Sequence, residues 1–185
     1  MKALRIALSV GLLCAVAAVA FAQDAPPAHK YVGVLKCKTC HNSAAKGAQY
    51  TVWTKMKHAT AYTDLASDSA KAVAKAKGIA DPQKDAACLK CHVTGYGEPK
   101  ENFAETFKME DGVQCESCHG AGSDYMKMAV MKAVRAGTSK GEDVGLVSKP
   151  NADVCKKCHN SDSPTMKAFD FSADSTKIAH PYPKN

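Results

Sequence analysis

The chain has 185 residues, a net charge of +7 and a mean hydropathy of -0.27, and its length fits one modest domain. Only 6% of the residues are aromatic, so a large core of packed side chains is hard to build. The composition therefore predicts that something other than side chains supplies apolar mass.

The N-terminal segment has the pattern of a cleaved secretion signal. Two basic residues precede an apolar run over 6–20, and small residues end it. The run is too short for a membrane span, so we expect residues 1–22 to be removed and residues 23–185 to form a single domain without an integral membrane span. A lipoprotein is the alternative, but Cys14 follows Leu13 rather than a small residue. The expected location is the periplasm or the cell exterior.

Local patterns then predict short helices joined by loops. Aromatic and methionine side chains at three-residue spacing predict a helix over 43–62. An alanine- and lysine-rich stretch predicts a helix over 65–77, with Gly78 as its stop. An Asp-Pro pair at 81–82 predicts the start of the next helix, and residues 95–99 predict a turn.

The second half of the chain shows the same alternation. Ser123 is a candidate cap for a helix over 124–136, and residues 138–150 are expected to form a loop. Asn151 is a candidate cap for a short helix. The tail beyond residue 161 is expected to be irregular.

Eight of the nine cysteines lie beyond the predicted signal, and all eight occur as Cys-x-x-Cys pairs with a histidine directly after each pair. This is the attachment signature of c-type heme. We number the motifs in chain order: Cys37, Cys40 and His41; Cys88, Cys91 and His92; Cys115, Cys118 and His119; Cys155, Cys158 and His159.

The spacing has a mechanical reason. Two thiols three positions apart on a helical turn share a face and can add to the two vinyl groups of a heme, and the next residue presents its imidazole to the iron. Zinc sites and thioredoxin-like redox pairs also use Cys-x-x-Cys, but neither requires histidine at the same place every time. The cofactor prediction is therefore four heme c groups, each with its iron.

Four hemes would also act as the missing core, with the chain wrapped around them. The predicted fold is mainly α with long irregular loops and minimal β, a small multiheme cytochrome c fold. Heme propionates would offset the positive charge, so nucleic acid is not expected as a partner.

Three histidines remain as candidate sixth ligands, namely His29, His58 and His180. Each also has an ordinary interpretation as a solvated or capping side chain. Three histidines cannot serve four irons, so one iron is five-coordinate, or a methionine ligates it, or a neighbouring subunit lends a ligand.

The chain resembles the tetraheme cytochrome c-554 family. The resemblance rests on segments around the first three motifs: Tyr31-Val-Gly, Trp53 with His58-Ala59, Cys91-His92-Val with Gly95-Tyr-Gly, and Gly112-Val with Cys115-Glu-Ser-Cys-His-Gly. It implies four stacked hemes in two close pairs, the first with the third and the second with the fourth. It also implies two histidines on three of the irons and a five-coordinate second heme.

Carried onto this chain, the resemblance implies that His58 is the distal ligand of the third heme and His180 that of the fourth. The family's distal histidine for the first heme comes from a helix after the third motif, and here that helix contains no histidine. Met128 lies nearest the expected position and is a candidate ligand. The alternative is that this methionine only packs against porphyrin.

His29 is the remaining candidate ligand, eight residues before Cys37. It could fold back onto the first heme of its own chain or reach the second heme of a neighbouring subunit. The second use would suit a homo-oligomer, such as the extracellular tetraheme filaments that look related to this family.

The leading functional prediction is a non-enzymatic electron carrier that exchanges electrons with redox partner proteins. One alternative is a subunit of an extracellular heme-wire filament. Another is a reductase of small molecules such as nitric oxide or hydroxylamine at an open second heme, although no obvious set of proton donors surrounds that motif.

Overall fold

The computed structural model describes residues 29–181, and the predicted signal over 1–22 lies outside this range. Within it, the chain forms short α-helices joined by loops and 3-10 turns, and the one β feature is an isolated bridge between Tyr31 and Phe103. The mainly helical prediction is confirmed. The α-helices are α1 Val34–His41, α2 Gln49–Trp53, α3 Ala61–Asp64, α4 Asp68–Ala76, α5 Ala86–His92, α6 Cys115–His119, α7 Met128–Arg135, α8 Ala152–Lys156 and α9 Phe171–Ile178.

The long helix predicted over 43–62 is wrong. Gly47 and Ala48 both have positive φ, of 102° and 47°, which breaks the segment before α2 begins. Between α2 and α3 the chain continues in turns, so His58 lies in a turn rather than on a helix. A side chain in such a turn is aimed by its tertiary contacts, which helical periodicity does not report.

One of the two predicted caps is confirmed. Asn151 caps α8, but Ser123 does not cap α7, whose N-cap position is Lys127; the Ser123 hydroxyl accepts a hydrogen bond from the Lys30 amide instead. Helix α4 begins at Asp68 rather than at residue 65, and Ser67 caps it by accepting a hydrogen bond from the Ala70 amide. Two further starts also come later than predicted. Asp85 caps α5, four residues after Asp81, and α7 begins only at Met128.

Helix α9 lies in the tail that was expected to be irregular. Asp170 caps it by accepting a hydrogen bond from the Ala173 amide. The helix ends two residues before His180, so it fixes the place of that histidine in the fold.

The side-chain core is small. Among residues 29–181 nine hydrophobic side chains are buried, and the cluster among them consists of Leu65, Leu89 and Val93, with Tyr62 and Cys88 packed against it. A domain of this size ordinarily buries most of the apolar surface of its unfolded chain. The polypeptide alone does not provide such a core.

Buried polar side chains connect distant backbone segments where an apolar core is missing. The Glu116 side chain is 2% exposed and accepts hydrogen bonds from the amides of Val32, Gly33 and Gly122 at 2.7–2.8 Å. Gln114 accepts one from the Val34 amide at 2.7 Å. The segment that leads into α1 is thereby fixed to α6.

Residues 119–120 and 145–147 form a second close contact. The Val147 amide donates to the His119 carbonyl at 2.9 Å, and a Cβ atom at Gly120 would collide with the Gly145 carbonyl oxygen. This approach requires a residue without a side chain at position 120.

We therefore expect Gly120→Ala to destabilise the holoprotein by about 2 kcal/mol or more, because the collision involves backbone on both sides. Gly137→Ala is the matched control, since Gly137 also has positive φ but has no atom within 4 Å of the added Cβ. Chemical denaturation followed by circular dichroism measures both free energies of unfolding. Equal losses in the two variants would contradict the contact.

Within residues 29–181 no helix is both long and apolar enough to cross a membrane.

Candidate heme-attachment sites

Each of the four Cys-x-x-Cys-His motifs begins on a short helix. The first three are carried by α1, α5 and α6, and the fourth starts on α8 and continues into the following turn. A helical turn places the two thiols of a pair on the same side, as attachment to one heme requires. The residues in these motifs therefore have the local geometry that the signature predicts.

The eight thiols are free cysteines in the described structure. They also do not form a zinc site, because within residues 29–181 no three His, Cys, Asp or Glu side chains converge as ligands of a bare metal ion. The alternatives of a disulfide framework and of zinc binding thus have no geometric support in this range, while two thiols and a histidine at each motif suit heme.

Thiols of different motifs lie side by side in two places. The Cys37 thiol neighbours that of Cys115 where α1 contacts α6, and this contact together with burial raises the pKa of Cys37. Cys158 lies beside Cys91, and burial raises the pKa of Cys158 to about 12, with Cys91 adding to the rise. The first motif therefore neighbours the third, and the second neighbours the fourth.

Thiols of the third and fourth motifs also lie close together, which connects these two pairs of motifs. Burial raises the pKa of Cys118 to about 11, with Cys155 the next largest cause, and α6 contacts α8. The four attachment points consequently form a continuous row in the order first, third, fourth, second.

Three of the motif histidines have their Nδ1 atoms engaged by acceptors. The His92 Nδ1 contacts the Ala61 carbonyl at 2.6 Å, the His119 Nδ1 contacts the Val147 carbonyl at 2.8 Å, and the His41 Nδ1 contacts the Gln49 Oε1 at 3.2 Å. A proton on Nδ1 leaves Nε2 as the free lone pair, which is the usual arrangement of a metal-binding histidine.

His58 lies opposite the histidine of the fourth motif. The ring centroids of His58 and His159 are 6.1 Å apart with an interplanar angle of 84°. Two imidazoles on opposite sides of one metal, each with nitrogen about 2 Å from it, have centroids roughly 6 Å apart. Burial, with His159 nearby, lowers the pKa of His58, which favours the neutral form that binds metals.

His180 lies opposite the histidine of the third motif. The ring centroids of His180 and His119 are 5.8 Å apart. Burial lowers the pKa of His119, and the hydrogen bond to Val147 opposes this. His58 and His180 thus each come close to a motif histidine, but with the partners exchanged: the resemblance implied His58 with the third motif and His180 with the fourth.

The remaining candidates are placed differently. The His29 ring contacts Asp124, with Nδ1 and Oδ2 2.6 Å apart, and the Met128 side chain is 57% exposed at the first position of α7. No histidine ring within residues 29–181 packs against His41 or His92. The ligand roles of His29 and Met128 stay predictions.

Glu116 is the residue near the site that sequence reasoning missed. It occupies one of the two x positions of the third Cys-x-x-Cys-His motif, where a carboxylate is ordinarily expected to be exposed to solvent. Burial raises its pKa, and the amides of Val32, Gly33 and Gly122 oppose this. The sequence gives little indication of its buried role, because two of its partners lie more than 80 residues earlier in the chain and the third is in a glycine turn.

Two comparisons with known proteins bear on these sites. Residues 36–120 match the family "Cytochrome c554 and c-prime", a range that contains the first three motifs and ends before the fourth. The chain is 38% identical over 109 residues to "Cytochrome c-554" of Nitrosomonas europaea, which covers 56% of this chain and 42% of the relative. The chain therefore spans less than half of that relative's length. No solved structure matches the chain.

The matched range contains the α1, α5 and α6 motifs together with His58, so the likeness extends to residues with defined chemistry as well as to overall sequence. Free thiols in helical pairs, histidines with engaged Nδ1 atoms and a small side-chain core all suit covalent heme. Over residues 36–120, which carry the first three motifs, the chain is therefore similar to the cytochrome c-554 family of multiheme c-type cytochromes.

Proposed function

We propose that this chain carries four covalently bound hemes and transfers electrons along them in the order first, third, fourth, second. The observation that carries the proposal is the row of neighbouring thiols, Cys37 beside Cys115, Cys118 near Cys155, and Cys158 beside Cys91. Hemes attached at adjacent thiols are held close to one another, and electron exchange needs closely spaced centres more than it needs catalytic groups.

The chain's own residues hold and tune the hemes. The eight motif cysteines form the thioether links, and His41, His92, His119 and His159 provide the proximal nitrogens. Heme iron supplies the one-electron chemistry when bound. Acceptors at Nδ1 fix the tautomers of His41, His92 and His119, and an engaged Nδ1 raises the basicity of the ligating nitrogen.

His58 and His180 are the proposed distal ligands. The ring geometry favours His58 on the fourth heme and His180 on the third. Two histidines on one iron give a low-spin centre with a potential below that of a methionine-ligated one. The middle two members of the row are thereby the ones best suited to pass electrons without binding substrate.

The proposed partners are redox proteins. The proposed location is the periplasm or the cell exterior, because the predicted secretion signal directs export and c-type heme is attached after export. A subunit of a heme-wire filament stays a prediction, and electron microscopy of the purified protein tests it.

A reductive titration tests the carrier function. The oxidised holoprotein is expected to take up four electrons per chain and to return them to an oxidised acceptor protein without loss. Uptake of fewer electrons, or reoxidation only by a small-molecule substrate, would contradict a four-heme carrier.

A reductase at the second heme is the second candidate, and one observation favours it. Within residues 29–181 no second histidine ring faces His92. Carbon monoxide binding to the reduced protein tests for the open position, and turnover with nitric oxide or hydroxylamine distinguishes an enzyme from a carrier with a vacant iron.

A further inference from the structure

The chain has four motif histidines and three other histidines that could lie opposite them. His58 and His180 lie opposite His159 and His119, so the first and second motifs lack a histidine partner of this kind. Of the three histidines outside the motifs, His29 is the one without a place in these pairs.

The structure fixes His29 within its own chain. Its neighbour Lys30 forms two hydrogen bonds with Ser123: the Lys30 amide donates to the Ser123 hydroxyl at 2.9 Å, and the Ser123 amide donates to the Lys30 carbonyl at 3.0 Å. The ring itself packs against Gly145, where an added Cβ would lie 2.5 Å from the His29 Cδ2 atom. Such fixation argues against a segment that extends toward a neighbouring subunit.

Asp124 orients the ring. Its Oδ2 atom lies 2.6 Å from the His29 Nδ1, while Lys127 lies 3.9 Å from the other carboxylate oxygen. Among residues 29–181 the Nε2 atom has no hydrogen-bond partner. A carboxylate on Nδ1 with Nε2 left free is the arrangement in which proteins prepare histidine to ligate a metal.

The surroundings indicate which heme His29 serves. Tyr125, directly after Asp124, is buried beside Cys37 and Cys115, where the first and third motifs meet. The third motif already has His180 opposite His119. The second motif lies at the other end of the row, beside the fourth.

We infer that His29 is the distal ligand of the first heme, and that Asp124 is its positioning residue. This inference rests on the proposed four-heme function. It takes the role for which Met128 was the sequence-based candidate, because Asp124 orients the His29 imidazole and leaves its Nε2 atom free to ligate. The carboxylate gives the imidazole partial anionic character, which stabilises the ferric iron and lowers the potential of the first heme.

The test compares His29→Gly, Asp124→Asn and Met128→Leu holoproteins by electron paramagnetic resonance and carbon monoxide binding. His29→Gly is expected to convert one further heme to the high-spin form and to bind one more carbon monoxide per chain, and added imidazole is expected to restore the low-spin signal. Asp124→Asn is expected to keep the heme low-spin but to raise one midpoint potential. Met128→Leu is expected to match the wild type.

Unchanged spin populations and carbon monoxide binding in His29→Gly would overturn the inference, as would loss of a low-spin signal in Met128→Leu. The heme count, measured on the same samples, separates this failure from failure of the proposed function: four hemes with an unaltered spectrum reject only the His29 ligand. A variant that folds poorly is still informative, because imidazole rescue requires a vacant iron.

Discussion

Without covalent heme, the chain is expected to be largely unfolded. Replacing all eight motif cysteines by alanine leaves few buried hydrophobic side chains, with the three-residue cluster around Leu89 as the main packed group. Domains are stable by only about 5–15 kcal/mol, a margin that so little burial does not reach against the conformational entropy of the chain.

Far-UV circular dichroism and thermal denaturation measure this directly. The variant should lose most of the helical signal and show no cooperative transition, whereas the holoprotein should show both. The hydrogen bonds of Glu116 are not expected to rescue the variant, because each such bond contributes only about 1 kcal/mol net to stability. A native-like spectrum with a cooperative transition in the absence of heme would show that the polypeptide folds by itself.

Removing the third heme is expected to interrupt electron flow far more than removing the second. In the proposed row the third heme connects the first to the other two, whereas the second is terminal. With Cys115→Ala and Cys118→Ala combined, electrons delivered near α1 should remain on the first heme. With Cys88→Ala and Cys91→Ala combined, they should still spread over the other three.

Flash photolysis with a ruthenium photosensitiser attached to the exposed Lys36, next to the first motif, measures this distribution. The rate of arrival at the fourth heme should fall by orders of magnitude only in the variant of the third motif. Both variants remove two cysteines and one heme, so heme content and helical signal serve as matched controls. Equal rates in the two variants would rule out the order first, third, fourth, second.

The features that the sequence predicts correctly depend on neighbouring residues. The four motifs need only the helical turn on which each begins, and the capping residue Asn151 binds amides two and three positions away. Local chemistry of this kind is visible in a linear pattern, which explains why the helical setting of the motifs and the start of α8 could be predicted.

The features that the sequence does not reveal depend on distant contacts. The partners of His58 and His180 are set by a turn after α2 and by α9, and neither element was predicted in its observed form. Likewise, the carboxylate partner of His29 lies 95 residues away. Composition and periodicity do not indicate which motif histidine lies opposite a histidine in such a segment.

The heme content of each motif tests the central claim most directly, and the fourth motif is the decisive one because it lies beyond the family match at residues 36–120. Intact mass spectrometry of the purified holoprotein, with heme-bearing peptides identified after proteolysis, gives that content. Four hemes per chain are predicted, one of them on the peptide that contains Cys155 and Cys158. Three hemes, with free thiols or bound zinc at that peptide, would contradict the account.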